Sequence, residues 1–167
     1  MEQITPDAID LQLLEQLQTD ASLSNQALAA RVHISPPTCL RRVKRLRDAG
    51  LIEREIAVLS VDKLSLVAGY GLCAIVEITL DHQDQGALEA FELRVAKDAA
   101  VQQCYRVSPG PDFCLVVHTA HMPDYLALAQ RLFTADANVR NVKTYFSIKR
   151  SKFGARVPLP TPAAVSS

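Results

Sequence analysis

Residues 24–52 read SNQALAARVHISPPTCLRRVKRLRDAGLI, and their pattern decides the architecture of the first third of the chain. Ser24 is placed to cap a helix over 25–32, because a serine oxygen accepts an amide left free in the first turn. His33 and Ile34 then break the pattern. Ser35 is a second cap, and Pro36 falls at the first helical position, where its missing N–H costs nothing. On a helical wheel Cys39, Leu40, Val43 and Leu46 are expected on one buried face. Thr38, Arg41 and Arg45 point the other way, with Pro37 and Arg42 on the flanks. Gly50 stands where a helix closes with a C′ glycine. Two short helices joined by a tight turn are predicted, and the second carries its charge on one side.

From Arg31 to Gly50 there are six Lys/Arg and one Asp, whereas the whole chain balances 18 Lys+Arg against 18 Asp+Glu. A concentrated basic helix on a neutral protein suits one patch of polyanion, and a DNA backbone is the leading partner. A solvated basic helix face would carry the same residues. The capped turn, the preceding helix and the expected absence of acidic partners four residues away favour DNA.

Outward from this stretch, 167 residues with 49% hydrophobic side chains suffice for one ordinary domain or two small ones. No apolar run reaches 18 residues, so no membrane span is predicted. The opening MEQITPDAID is polar and acidic, unlike a targeting segment, and a cytoplasmic location is expected. Cys39, Cys73, Cys104 and Cys114 show no zinc spacing and are expected as buried free thiols, with a Cys104–Cys114 pair across a hairpin as the alternative. His33, His82, His118 and His121 show no metal spacing. No catalytic triad or phosphate loop stands out, so neither enzyme activity nor a cofactor is expected.

Thr5 or Asp7 can cap a first helix with Ile9, Leu13, Leu14 and Leu17 on its apolar side. LIEREIAVL at 51–59 alternates enough to suggest a strand, and 62–70 reads as a hinge. Strands are predicted over 71–80, 101–107, 113–119 and 139–148, with helices over 84–96 and 123–133. Leu88, Phe91, Leu93 and Val95 are core candidates in the first of these helices, and Tyr125, Leu126, Ala129, Leu132 and Phe133 in the second. The order β-α-β-β-α-β is the split ferredoxin-like plan. Apolar residues on both strand faces (Leu72, Ala74, Val76, Val116, Tyr145) suggest an open sheet face covered by a second copy. The expected layout is α+β. A three-helix, winged-helix-like helix-turn-helix domain occupies 1–55 and a strand and hinge 56–70. A ferredoxin-like effector and dimerisation domain fills 71–156, and a flexible tail 157–167.

The run S-P-x-x-C-x-R-R (Ser35, Pro36, Cys39, Arg41, Arg42), the run R-L-x-x-x-G-x-I (Arg45, Leu46, Gly50, Ile52) and the β-α-β-β-α-β tail resemble the Lrp/AsnC, or feast/famine, regulators over about 5–159. IVEITL at 75–80 is similar to the leucine-responsive branch. The resemblance implies a transcription regulator that senses a small molecule, usually an amino acid, and dimers that assemble further, commonly to an octamer. In a helix-turn-helix the second helix lies in the major groove with its N-terminal residues at base edges. Thr38, Arg41 and Arg42 are then expected in the groove and Lys44, Arg45 and Arg47 on phosphates, while Ser35 and Pro37 shape the first turn.

The family's ligand loop joins the second and third strands and often reads G-x-x-D-[YF]. Here it reads Ser108-Pro109-Gly110-Pro111-Asp112-Phe113, with Pro109 where glycine is expected. The resemblance implies Ser108, Gly110 and Asp112 of this loop, with Thr144 on the last strand, as effector residues. Two prolines remove two amide donors from that loop. Two other readings remain beside an effector-responsive regulator. One is an architectural DNA-binding protein that senses nothing, and the other is a small ferredoxin-like enzyme.

Overall fold

The capping signals produce the first helices where they stand. In the computed structural model, which describes residues 4–68 and 71–160, Asp7 caps α1 (Ala8–Thr19). Its Oδ1 accepts the Asp10 amide at 2.8 Å, and Asp10 Oδ2 accepts the Asp7 amide at 3.1 Å. This reciprocal arrangement satisfies two donors that a helix start otherwise leaves free. Ser24 caps α2 (Asn25–Arg31) by accepting the Ala27 amide. Ser35 takes the extended N-cap conformation ahead of α3 (Pro36–Asp48), but its hydroxyl bonds the Thr38 hydroxyl at 2.8 Å rather than a backbone amide. His33, in the turn between α2 and α3, has φ 55, and Gly50 closes α3 with φ 75.

Leu13, Leu28, Ala29, Val32, Cys39, Val43 and Leu46 form the core of this head. Leu40 is not among them: it is 60% exposed. Counted from Cys39, Val43 and Leu46 return to within a fraction of a turn, whereas Leu40 is rotated by about 100°. The wheel reading that placed Leu40 on the buried face is corrected by that rotation.

The expected strand at 51–59 does not form, and no segment among the described residues pairs with it. Ile56, Val58 and Leu59 lie exposed along it. The expected hinge contains a helix, α4 (Val61–Ala68), and its last two residues, 69 and 70, lie outside the described residues.

The second unit, 58–151, follows the predicted plan. Its elements are β1 (Leu72–Leu80), α5 (Gln85–Val95), β2 (Val101–Arg106), β3 (Phe113–Thr119), α6 (Met122–Ala129) running on into a π-turn at Gln130–Thr134, and β4 (Val139–Phe146). The four strands are antiparallel in the order β2-β3-β1-β4. Strand alternation sends Ala74, Val76, Ile78, Leu80, Phe113, Leu115 and Val117 to the helix-covered face, where they meet Phe91, Val95, Tyr125, Leu128, Leu132 and Phe133. Leu93 and Leu126, expected in this core, are exposed instead. Cys73, Ile75, Glu77, Cys114 and Val116 alternate onto the other face, away from the helix-covered core.

The cysteine pair across the hairpin is excluded by register. Cys104 stands opposite Leu115, and Cys114 opposite Tyr105, so the two thiols leave opposite faces of the sheet. All four cysteines are free. Only Cys39 is buried, and the other three are half-buried. Burial pushes the Cys39, Cys73 and Cys104 thiols above their ordinary values.

After β4 the chain returns to the head, and residues 152–160 belong with residues 4–57. The flexible tail expected from 157 is held at its first residue, and residues 161–167 lie outside the described residues. The Gln18 amide grips the Val157 backbone at both ends, donating to its carbonyl at 3.0 Å and accepting its N–H at 2.9 Å. Arg156 pairs with Glu15. Gln18→Ala is expected to cost the head about 1 kcal/mol, the net worth of such exposed hydrogen bonds. Thermal unfolding of the full chain checks this, and an unchanged head transition would show that the tail is not held.

Candidate DNA-binding face and effector loop

The head positions α3 through its charged residues as much as through its core. Asp10 is fully buried at the start of α1, and two guanidinium groups from α3 converge on it. Arg42 Nη1 reaches Asp10 Oδ1 at 2.8 Å and Asp7 Oδ2 at 2.7 Å, and Arg45 Nη2 bonds Asp10 Oδ2. A buried carboxylate is tolerated only when paired and hydrogen-bonded, and here both conditions are met. The hydrogen bonds to Asp7 and then Asp10 hold Arg42 above the ordinary arginine value. Burial alone would raise Asp7, but its bonds to the Asp10 amide and to Arg42 outweigh that and lower its pKa.

Arg42, expected in the groove, has a side chain only 18% exposed and paired with Asp7 and Asp10, so it ties α3 to α1. Asn25 adds a second tie, donating to the Pro36 carbonyl at 2.8 Å. The expected absence of acidic partners is also corrected. Lys44 pairs with Asp48 at 2.7 Å, four residues on, and Arg47 with Glu55. These pairs are exposed and weak, and such side chains exchange partners at little cost.

The exposed residues of α3 are Pro36, Pro37, Leu40, Arg41, Lys44, Arg45, Arg47 and Asp48. Arg41 is exposed and makes no ion pair among the described residues. Thr38 is half-buried and shares its hydroxyl with Ser35. The helix thus offers one unengaged guanidinium in its first half and a group of cations in its second.

The effector loop runs from Val107 to Asp112, and Ser108 and Gly110 are exposed in it. Gly110 has φ 121, a conformation that other residues rarely adopt. Asp112 is not an exposed anion. Its Oδ2 accepts the Leu80 amide at 2.7 Å and the Gln83 side-chain amide at 3.3 Å, and its own N–H donates to the Ile78 carbonyl. It locks the loop to the end of β1. Thr144 lies one strand beyond, opposite Val76 on β4, with its hydroxyl bonded to Tyr125. A single chain therefore does not gather Thr144 with the loop, and both groups already have partners.

A capped two-helix turn with an open basic face, beside a separate ferredoxin-like unit, defines a helix-turn-helix regulator with a sensing domain. The comparisons agree with that class. A family described as winged helix-turn-helix DNA-binding matches residues 6–53, and the Lrp/AsnC ligand binding domain matches residues 73–157. The leucine-responsive regulatory protein of Rhizobium meliloti is 36% identical over 153 residues, covering 92% of this chain and 96% of the relative. That of Escherichia coli is 32% identical over 155 residues, covering 93% and 92%. A transcriptional regulator of Neisseria meningitidis, solved as a complex with L-Met, superposes with a TM-score of 0.78 at 28% identity, covering 92% of this chain and 97% of that one. The chain belongs to the Lrp/AsnC family of transcription regulators. No helix among the described residues is long and apolar enough to cross a membrane.

Proposed function

We propose that this chain binds promoter DNA sequence-specifically through the open face of α3, and that an amino acid bound by the second unit changes that binding. The observation that carries the reading is Arg41, an unengaged guanidinium in the half of α3 that meets base edges. Arg42 meanwhile holds the helix in place from behind, and Arg45, 46% exposed, shares Asp10 with it from the edge of the open face. Lys44, Arg45 and Arg47 act on phosphates, which position without reading sequence. The L-Met complex of the Neisseria relative supports an amino-acid effector.

The working form is a cytoplasmic homodimer that assembles further, to an octamer. Support comes from the open sheet face with Ile75 and Tyr145, and from the exposed apolar residues Ile56, Val58 and Leu59 on a segment without a strand partner among the described residues. Apolar surface of this kind is covered in soluble regulators by another copy.

One observation favours the second reading, an architectural protein without an effector: Asp112 and Thr144 already have hydrogen-bond partners. The two readings separate in a footprint of the full-length protein on its own promoter region, in excess nonspecific DNA, repeated with each of the twenty amino acids. A footprint that one amino acid shifts supports the sensor. A footprint indifferent to all twenty removes the amino-acid effector.

A further inference from the structure

Leu40 is the large apolar side chain on the open face of α3, 60% exposed. A single exposed leucine on a protein surface is ordinary. This one stands beside Arg41, in the first half of a helix whose other exposed residues are Pro36, Pro37, four cations and, at the far end, Asp48. Helical side chains lean toward the N-terminus, so Leu40 covers the turn that Pro36 and Pro37 begin. The three residues make a small apolar surface at the leading end of the helix. Arg41 follows it directly, and Lys44 and Arg47 lie about one and two turns further along the same side, a cationic setting that disfavours an apolar protein partner and favours a polyanion. In the DNA major groove the apolar feature presented at base edges is the C5-methyl group of thymine.

We propose that Leu40, backed by Pro36 and Pro37, reads the methyl group of a thymine next to the base contacted by Arg41. This rests on α3 being the recognition helix. The readout is a contact between a side chain and a methyl group, with no polar group desolvated on the protein side. It would add sequence preference at a position that Arg41 does not reach.

The test compares a high-affinity site selected by the full-length protein with versions in which each thymine in turn is replaced by deoxyuridine, which lacks only that methyl. Wild-type protein is expected to lose about 3- to 10-fold in affinity at one or two positions, the scale of one buried methyl with its packing. Leu40→Ala is expected to weaken binding to the thymine site by a similar factor and to be indifferent to deoxyuridine at those positions. Leu40→Met keeps the apolar contact and is expected to keep the sensitivity. Because Leu40 is exposed, both variants should unfold at the wild-type temperature. Wild-type indifference to every deoxyuridine, or full sensitivity retained in Leu40→Ala, overturns the proposal. Failure of the wild type to select any site overturns the recognition-helix reading itself, and this proposal with it.

Discussion

Asp10→Ala is expected to destabilise the head by about 3–5 kcal/mol, the range for breaking a buried ion pair from one side. The substitution leaves Arg42, only 18% exposed, with Asp7 as its one remaining carboxylate, and it leaves Arg45 without its partner. It also removes half of the reciprocal cap at the start of α1. The natural stability of a small domain is only about 5–15 kcal/mol, so a loss of this size approaches unfolding at physiological temperature. Denaturant unfolding of the full chain should show the head transition moved and that of the second unit unmoved. A shift under about 1 kcal/mol would contradict the role of Asp10, since that is the scale of an exposed pair. Acid should act in the same direction through Asp7. Its pKa is lower in the folded head than in the unfolded chain. Its contribution is therefore complete above the unfolded value and is lost as the pH falls through the folded one.

Arg41→Ala is expected to reduce affinity for the protein's own promoter site by about 10- to 100-fold, the worth of one bidentate arginine–guanine pair. Binding to random-sequence DNA should fall far less, because one phosphate-range charge is only part of a shared electrostatic attraction. Lys44→Ala is the contrast. It should weaken specific and nonspecific binding alike and lower the salt dependence by about one unit of slope. Arg41 has no intramolecular partner among the described residues, so its removal should leave the head as stable as before. Equal losses on specific and random DNA would place Arg41 on the backbone instead.

Most of this fold was legible because its determinants are local. Asp7, Ser24 and Asp84 each start a helix by accepting an amide within three residues, and such signals stand next to one another in the chain. Strand alternation from Ala74 to Leu80 likewise fixes which face is buried. What the pattern could not supply were the long-range partners. Arg42 meets Asp10 across 32 residues, a pairing that periodicity in α3 alone cannot supply. A signal did exist in α1, where Asp10 lies on the same stripe as Leu13 and Leu17, and a carboxylate there demands a buried cation. Asp112 matched the family pattern by letter, but its oxygen is taken by the amide of Leu80, brought near only when β3 pairs with β1. The segment at 51–59 had the alternation of a strand without a strand partner among the described residues, and pattern alone does not supply one.

The central claim is that the open face of α3 reads sequence through Arg41. It is tested most directly by selecting binding sites from random DNA with the wild-type chain and with Arg41→Ala in parallel. The account predicts a guanine recurring at a fixed position in the wild-type motif and lost in the variant, with the other positions kept. Identical motifs from the two proteins would contradict it.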